Sequence, residues 1–284
     1  MNKIAVLITS HNRKEKTMHC LSALFSCELS SWTIQVYLVD DGSSDGTSDM
    51  VKEKFPHVMI IRGTGDLFWA GGMRLAWEVA SSGDPDGYLL LNDDTILYKD
   101  ALATLLETHL AIIQKYGIRG ISIGSTCDPD SGEFTYGGFK LKNKITSHVA
   151  AVQPDPNKMR RCDMANANIM LIPKEVALKV GELSKAFTHS LADFDYTLRA
   201  SRAGIPVMVC KSYCGTCVND HGNSWVSADQ PLQARINYLK DAKHLAYQEY
   251  LHYMKIHFPL YWPVSFVMLW LKALVPGLWD RFKT

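Results

Sequence analysis

Hydrophobic positions along the first 120 residues follow two alternating patterns. Short, uninterrupted apolar runs of strand length are separated by longer stretches in which apolar residues recur every three or four positions. This alternation is typical of βαβ units arranged around a largely parallel sheet. The pattern predicts strands over residues 4–9, 34–39, 58–61 and 88–91, and helices over residues 14–26, 46–55, 70–80 and 99–115.

The pattern changes near Gly120. Short apolar pieces are then broken by turn-forming sequences such as Asp128-Pro129-Asp130 and Pro154-Asp155-Pro156. Regular alternation resumes with a strand at 169–172, a helix from Pro173, a helix at 194–203 and a strand at 207–210. We therefore expect an α/β fold over residues 1–225, with a first half at 1–120 and a second half at 121–225.

The C-terminal residues 258–284 are unusually apolar and aromatic. Prolines and Lys272 interrupt them, so the helical run is shorter than the roughly 20 residues that a membrane span requires. Tryptophan and basic residues are typical of a segment lying in a membrane interface, and here they are Trp262, Trp270, Trp279, Lys255, Lys272, Arg281 and Lys283. A helix buried on the protein itself or in a homodimer is an equal alternative.

The composition is that of a folded globular protein, with 47% hydrophobic and 21% charged residues in 284. A net charge of +1 lacks the broad basic field of a nucleic-acid-binding protein, so any bound phosphate must be held locally. Seven cysteines with scattered spacings suit a reducing compartment, and the N-terminal apolar run is too short for a signal peptide. We expect a cytoplasmic protein, with the inner face of the cytoplasmic membrane as a further location.

Polar and acidic residues follow the predicted strands, where open α/β sheets bind ligands. Thr9-Ser10-His11-Asn12-Arg13 follows the first strand, Asp40-Asp41-Gly42-Ser43 the second and Asn92-Asp93-Asp94-Thr95 the fourth. Adjacent carboxylates at the end of a buried strand repel each other, and a hard divalent cation such as Mg²⁺ or Mn²⁺ compensates them. The alternative is a turn that caps the following helix.

A later acidic segment, Asp193-Phe194-Asp195-Tyr196-Thr197-Leu198-Arg199, begins a predicted helix. Asp195 and Arg199 have the i, i+4 spacing of an intrahelical ion pair, and both acids suit a helix N-terminus. Asp193 is then left to act as a general base toward a hydroxyl group.

The three acidic motifs, in this order, resemble the family 2 glycosyltransferases with a GT-A fold. The likeness covers roughly residues 3–225. It includes Gly65-Asp66-Leu67-Phe68-Trp69-Ala70-Gly71-Gly72-Met73-Arg74, which is similar to a glycine-rich segment of bacterial rhamnosyl- and galactofuranosyltransferase-like members that build surface polysaccharides. The resemblance implies a Rossmann-like, mostly parallel sheet flanked by helices, with a catalytic domain at 1–225. It also implies a nucleotide-binding half at 1–120, an acceptor-binding half at 121–225, and an apolar helical extension at 226–284.

The resemblance also implies a set of site residues. Asp193 would be the catalytic base. A Mn²⁺ or Mg²⁺ ion would be bound by Asp94, Asp93 and His221. The nucleotide would be bound by Thr9, His11, Arg13, Asp41, Asp66, Arg74, Asn92 and Asp93, and the sugar or acceptor by Trp69, Asn166, His189 and Asp195. Three positions depart from the family pattern: His11 stands where many relatives have a tyrosine, Asn92 replaces the first acid of an Asp-x-Asp motif, and Ala192 replaces the first acid of a Glu-Asp motif.

The implied reaction is inverting transfer of a sugar from a UDP- or dTDP-linked donor to a hydroxyl of a glycan acceptor. A lipid-linked acceptor in cell-surface polysaccharide or O-antigen synthesis is expected. Two alternatives stay open: a nucleotidyltransferase, although the loop after the first strand lacks glycine, and a noncatalytic nucleotide-sugar-binding protein. A zinc site formed by Cys210, Cys214, Cys217 and His221 is a rival interpretation of the late histidine.

Overall fold

The computed structural model describes residues 3–28, 32–219, 230–241 and 245–276. Its helices in these ranges are α1 (Lys14–Phe25), α2 (Thr47–Lys54), α3 (Phe68–Ser81), α4 (Ala101–Tyr116), α5 (Lys174–Val180), α6 (Ala192–Arg202), α7 (Leu232–Lys240), α8 (Tyr247–His257) and α9 (Trp262–Leu274). The strands are β1 (Lys3–Ser10), β2 (Thr33–Asp40), β3 (Met59–Arg62), β4 (Gly87–Leu91), β5 (Ile96–Leu97), β6 (Ile121–Cys127), β7 (Phe134–Tyr136), β8 (Gly138–Leu141), β9 (Val149–Val152), β10 (Arg160–Arg161), β11 (Met164–Ala165), β12 (Ile169–Pro173) and β13 (Val207–Thr216).

A central sheet in the order β10-β13-β6-β12-β4-β1-β2-β3 organises the chain. The neighbouring strands β4, β1, β2 and β3 are all parallel, and β13 is parallel to β6. Strand β12 is antiparallel to both of its neighbours, β4 and β6, and joins the two halves of the sheet. The α/β class with a mostly parallel sheet flanked by helices is therefore confirmed.

Alternating residues of the buried strands face two separate cores. In β1, Ile4, Val6 and Ile8 pack in one core with α1 and α4, whereas Ala5 and Leu7 pack in the other with α3. Successive side chains of a strand point to opposite faces, so an all-apolar strand requires helices on both. Helix α3 meets this need with the helically spaced residues Ala70, Met73, Ala76, Trp77 and Ala80.

Helix α8, which lies in the predicted C-terminal helical extension 226–284, packs in the same core as the sheet. Tyr253, Met254 and the following Phe258 are almost completely buried in the core that contains α3 and α6. Farther along, α9 contributes Leu269 and Ala273 to a small cluster with Leu239 of α7. None of the helices in the described ranges is long and apolar enough to cross a membrane.

Local predictions were most accurate in the first half, where every predicted strand and helix ends within two residues of its observed bounds. In the second half, strand β6 and the small sheet β11-β8-β9 were not predicted. Strand β13 continues to Thr216, well beyond the predicted 207–210, and α6 begins at Ala192 instead of residue 194. All seven cysteines lie in the described ranges as buried thiols that form no disulfide there.

Gly72 sets the close approach of α3 to the end of β1. A Cβ atom on Gly72 would lie 2.0 Å from Thr9 Oγ1 and 2.7 Å from Thr9 Cβ, well inside van der Waals contact. On the adjacent Gly71, the nearest neighbour of a Cβ atom would be Leu67 Cβ at 3.2 Å. Position 72 therefore has no room for a methyl group, whereas at position 71 a methyl group would require only a small shift of Leu67.

We expect Gly72→Ala to destabilise the protein by about 1–3 kcal/mol, the usual cost of overpacking. Gly71→Ala is the matched control, because its small contact cost is offset by the roughly 1 kcal/mol by which alanine is the better helix former. Urea denaturation of the two variants measures the difference. Equal unfolding midpoints would show that α3 and β1 do not meet this closely.

Candidate active site

The loops after β1 and β2 meet at one edge of the sheet. Ser10 is paired with Asp40 in the parallel register, and the Asp41 N–H donates to the Ser10 carbonyl at 2.8 Å. His11 Nδ1 donates to the Asp41 carbonyl at 2.6 Å, because its Nε2 accepts from the Asn12 amide at 3.1 Å. These contacts bring the first two motifs together, as their position after parallel strands predicts.

Asp41 shapes a neighbouring loop with its carboxylate. Oδ1 accepts the Gly65 N–H at 2.7 Å, and Oδ2 accepts the N–H groups of Leu67 and Phe68 at 2.9 and 3.1 Å. The residue is only 3% exposed. Its carboxylate thus holds the glycine-rich segment in place at the start of α3, which the sequence alone did not indicate.

Asp93 and Asp94 lie at the end of β4 beside Arg13. The Arg13 guanidinium donates through Nη1 to Asp94 Oδ2 at 2.8 Å and to Asp93 Oδ1 at 3.2 Å. Burial raises the pKa of Asp93 to about 6, an effect that the Arg13 charge opposes and the Asp94 charge reinforces. Arg13 supplies part of the compensation that the sequence analysis assigned to a cation.

Further polar groups surround Asp94. Lys16 and His19 from α1 line a pocket of about 170 Å³ together with Asp94, Ile96, Cys217 and Val218. The Cys217 thiol lies 3.7 Å from Asp94 Oδ1. Sequence reasoning missed Lys16 and His19, although their i, i+3 spacing places them on one face of α1.

The acid pair fits a hard divalent cation. Mg²⁺ and Mn²⁺ prefer oxygen ligands, and Mg²⁺ sites typically use one or two carboxylates and complete the shell with phosphates and water. Asp94 is the more accessible of the two acids, with 16% of its side chain exposed. Across the described ranges, histidine, cysteine and acidic residues form no group of three or more that could hold a metal. His221, predicted as a ligand and as a member of the alternative zinc site, lies outside the described residues.

Asp193 lies in the first turn of α6. This helix begins at Ala192, two residues before the predicted start at residue 194. Its carboxylate accepts the Phe194 N–H at 2.8 Å and the Ala167 N–H at 3.2 Å. Burial raises the pKa of Asp193 to about 6, even though these bonds and the Asn166 side chain favour the charged form.

One turn between β11 and β12 connects Asp193 with the β4 motif. Ala167 donates its N–H to Asp193, and the next residue, Asn168, accepts the Asn92 N–H at 3.1 Å through its carbonyl. The Trp69 indole N–H donates to the Asn92 side-chain oxygen at 2.8 Å. The start of α3, the end of β4 and the start of α6 therefore border the same region.

Asp195 faces the interior, which corrects the expectation that it contacts an acceptor. The residue is 1% exposed, and its carboxylate accepts from Arg199 Nε at 2.9 Å and from His257 Nε2 at 2.8 Å. Burial alone would raise the pKa of Asp195, but these two partners lower it below its usual value. The ion pair with Arg199 is the one that the i, i+4 spacing predicted.

Arg74 also has a different position from the one expected of a nucleotide-binding residue. Its Nη1 donates to the carbonyls of Ser184 and Phe187 at 3.0 and 2.9 Å, so the side chain ties α3 to the segment before α6. Asp66 is exposed and accepts from the Thr64 hydroxyl. The His189 ring lies 6.4 Å from the Phe68 ring, at the same junction.

Two sets of contacts with α8 fix the position of the segment that contains Asp193. Glu249 accepts from the Thr188 N–H at 3.0 Å and from the Thr188 hydroxyl at 2.5 Å. At the other end, Arg202 donates to His257 Nδ1 at 2.9 Å, so His257 Nε2 carries the proton that Asp195 accepts. Asp193 lies between these two anchored residues.

A model of glycosyl transferase family 2 matches residues 5–166, which is more than half of the chain. The chain therefore belongs to this family. No curated protein matches it.

Solved structures with the same fold are only distantly related in sequence. Residues 1–349 of S. aureus TarS superpose with a TM-score of 0.51 at 14% identity, over 75% of this chain and 59% of that one. The mannosyltransferase PcManGT of Pyrobaculum calidifontis, solved with GDP-Man and Mn²⁺, gives 0.53 at 14% identity over 99% and 75%. GalNAc-T7, solved with UDP, GalNAc and Mn²⁺, gives 0.60 at 13% identity over 84% and 48%. These similarities establish the GT-A fold, and the chain spans about three fifths of the TarS fragment and half of GalNAc-T7.

The Asp195–His257 contact yields a prediction about stability. His257→Ala leaves a buried carboxylate with one fewer donor and should destabilise the protein by about 1–3 kcal/mol. Lys255→Ala, an exposed change on the same helix, is the control and should cost less than about 0.5 kcal/mol. Thermal and urea denaturation measure both. In the Asp195→Asn background the effect of His257→Ala should shrink, and strictly additive effects would contradict the contact.

Proposed function

We propose that this protein is an inverting, metal-dependent glycosyltransferase that moves a sugar from a nucleotide-diphosphate donor to a hydroxyl of a glycan acceptor. A UDP- or dTDP-linked donor and a lipid-linked acceptor of cell-surface polysaccharide or O-antigen synthesis are the specific proposals. Family membership supports the reaction class, and the motif similarity to polysaccharide-building members supports the acceptor class.

The position and proton affinity of Asp193 carry the proposal. A general base is most effective when its pKa lies near the working pH, and the pKa of Asp193 is raised to about 6. The carboxylate also shares the Ala167–Asn168 turn with the β4 acid motif. This displacement needs a base close to the diphosphate, and the shared turn supports assigning these two roles to Asp193 and to the acid motif after β4.

In the proposed reaction, Asp193 accepts the proton of the acceptor hydroxyl. The acceptor oxygen forms a bond to the anomeric carbon while the bond from that carbon to the diphosphate oxygen breaks. The electron pair of the broken bond leaves with the nucleoside diphosphate, and the anomeric configuration inverts. A divalent cation bound by Asp94 and Asp93 would supply positive charge to the diphosphate. Arg13, Lys16 and His19 lie beside these acids and supply further positive or hydrogen-bonding groups.

A thermal-shift screen tests the donor assignment. UDP- and dTDP-linked sugars, with GDP-mannose for comparison, are added to the protein with Mn²⁺ or with chelator. A donor at about 100 times its dissociation constant should stabilise the fold by roughly 2.7 kcal/mol. Cation-dependent release of nucleoside diphosphate from that donor then distinguishes an enzyme from a noncatalytic binding protein.

Asp193→Asn should lower turnover by at least about 100-fold while donor binding stays close to that of the wild type, because the amide cannot accept the proton. Wild-type turnover should also rise with pH through about 6 and level off above it, since the base acts only when deprotonated. Both are measured at saturating Mn²⁺. Normal turnover by Asp193→Asn, or a profile flat between pH 5 and 8, would remove Asp193 from the mechanism.

Asp94→Ala should abolish the extra stabilisation that Mn²⁺ gives to the donor complex, because the more accessible carboxylate of the pair is lost. Asp49→Ala, an exposed acid on α2, is the control and should keep the full effect. Donor melting curves with and without chelator give the result. An unchanged difference between the two curves in Asp94→Ala would place the cation elsewhere.

A further inference from the structure

The Arg13 guanidinium contacts both acids at the end of β4 through the same atom. Its Nη1 nitrogen lies 2.8 Å from Asp94 Oδ2 and 3.2 Å from Asp93 Oδ1. Within the described residues, these two contacts are the hydrogen bonds that hold the guanidinium. One positively charged group therefore bridges two carboxylates, which is also what a divalent cation shared by the pair would do.

The other oxygens of the two acids have surroundings that are less suitable for a cation. Asp93 Oδ2 lies 3.5 Å from the hydroxyl of Thr17, which is 1% exposed, so this oxygen faces the buried side of α1. Asp94 Oδ1 lies 3.7 Å from the Cys217 thiol, in the pocket that Lys16 also lines. A hard cation prefers accessible oxygen ligands, and a nearby lysine repels it. The two oxygens that bond to the guanidinium are therefore the better cation ligands.

Arg13 has space to move away from the acids. Its side chain is 44% exposed, and an open pocket of about 290 Å³ borders it. The other residues that line this pocket are Asn12, Lys14, Glu15, Lys16 and Asp45. An ion pair of such an exposed side chain contributes little to folding stability. The bonds between Arg13 and the acids can therefore break without disturbing the buried core.

We propose that Arg13 and the divalent cation compete for the same side of the Asp93–Asp94 pair. Two positive groups this close to one another repel, so Arg13 leaves the acids when a cation binds there. The inference rests on the proposed function, because it concerns the cation that this function requires. Bonded to the acids, the guanidinium has its charge neutralised; released, it carries a full positive charge beside the proposed diphosphate site.

Competition of this kind lowers the apparent affinity for the cation. When the acids are free of Arg13 for only a fraction of the time, the observed dissociation constant is the intrinsic constant divided by that fraction. A variant without the guanidinium binds the cation with the intrinsic constant. By linkage, an anion that binds the released guanidinium also raises the affinity for the cation.

Titration of the full chain with Mn²⁺ alone, followed by calorimetry, tests the proposal. Arg13→Gln should bind Mn²⁺ at least about fivefold more tightly than the wild type, as expected for acids that are free of Arg13 about a fifth of the time. Lys14→Gln is the matched control, because it removes the same charge from the next residue. Its effect on the Mn²⁺ affinity should be less than about twofold, since solvent and salt screen a charge that does not contact the acids.

A second measurement follows the guanidinium itself and needs only the wild-type protein. Two charge-assisted bonds hinder rotation of a guanidinium, and their loss restores it. The ¹⁵N signals of the Arg13 side chain should therefore show slow rotation in the protein alone and fast rotation at saturating Mg²⁺. This result separates release of Arg13 from a general effect of its charge.

Two outcomes would overturn the proposal. One is an Arg13→Gln variant that binds Mn²⁺ no more tightly than the wild type, including the case in which neither protein binds it. The other is an Arg13 side chain whose rotation stays slow at saturating Mg²⁺, which would show that Arg13 and the cation bind together.

The Mn²⁺ titration contains no nucleotide, so it reports on the acid pair alone. Failure of the proposed function has a different signature, because no nucleotide sugar would then stabilise the wild type in the thermal-shift screen. Melting curves without any ligand verify that Arg13→Gln and Lys14→Gln are folded.

Discussion

Buried carboxylates determine how the functional edge of this protein is built. An ionised acid removed from water requires hydrogen-bond donors or positive charge, and the chain meets this requirement differently at each position. Asp41 receives three backbone N–H groups, and Asp195 receives Arg199 and His257. Asp93 and Asp193 are less completely compensated, and both retain a pKa near 6. Asp41 and Asp195 therefore stabilise the fold around the site. Asp93 and Asp193 bind a proton or a cation more readily, which is a property typical of functional acids.

Most of the first half of the fold could be predicted because strands β1 to β4 and helices α1 to α4 each have a clear local signal, whereas the two-residue strand β5, which pairs with β13, was not predicted. Strands β1 and β4 are uninterrupted apolar runs, and the helices between strands have regular spacing. The second half gave weaker signals. Strand β6 contains Ser122, Ser125 and Thr126, whose polarity concealed a fully buried strand. Long-range pairing determines such strands, and no local pattern encodes that pairing.

The candidate site was predictable in its residue types but not in how the side chains are used. The position of Asp41, Asp94 and Asp193 after strands or at a helix start indicated a common edge. The sequence did not indicate that Arg13 bridges the acid pair, that Asp41 is occupied by the 65–68 loop or that His257 reaches Asp195. These contacts join residues 24 to 81 positions apart, and their partners depend on the tertiary structure. The predicted ligand His221 lies outside the described residues and stays a prediction.

The antiparallel strand β12 has a mechanical consequence for the whole molecule. It pairs with β4 through five residues and with β6 through two, so a continuous ladder of backbone hydrogen bonds connects strands β1 to β4 with strands β6 and β13. Rotating one half against the other, as hinged two-domain enzymes do, would require breaking that ladder. The sheet beneath the candidate site is therefore rigid. Conformational changes on ligand binding are expected in the connecting loops and in their side chains.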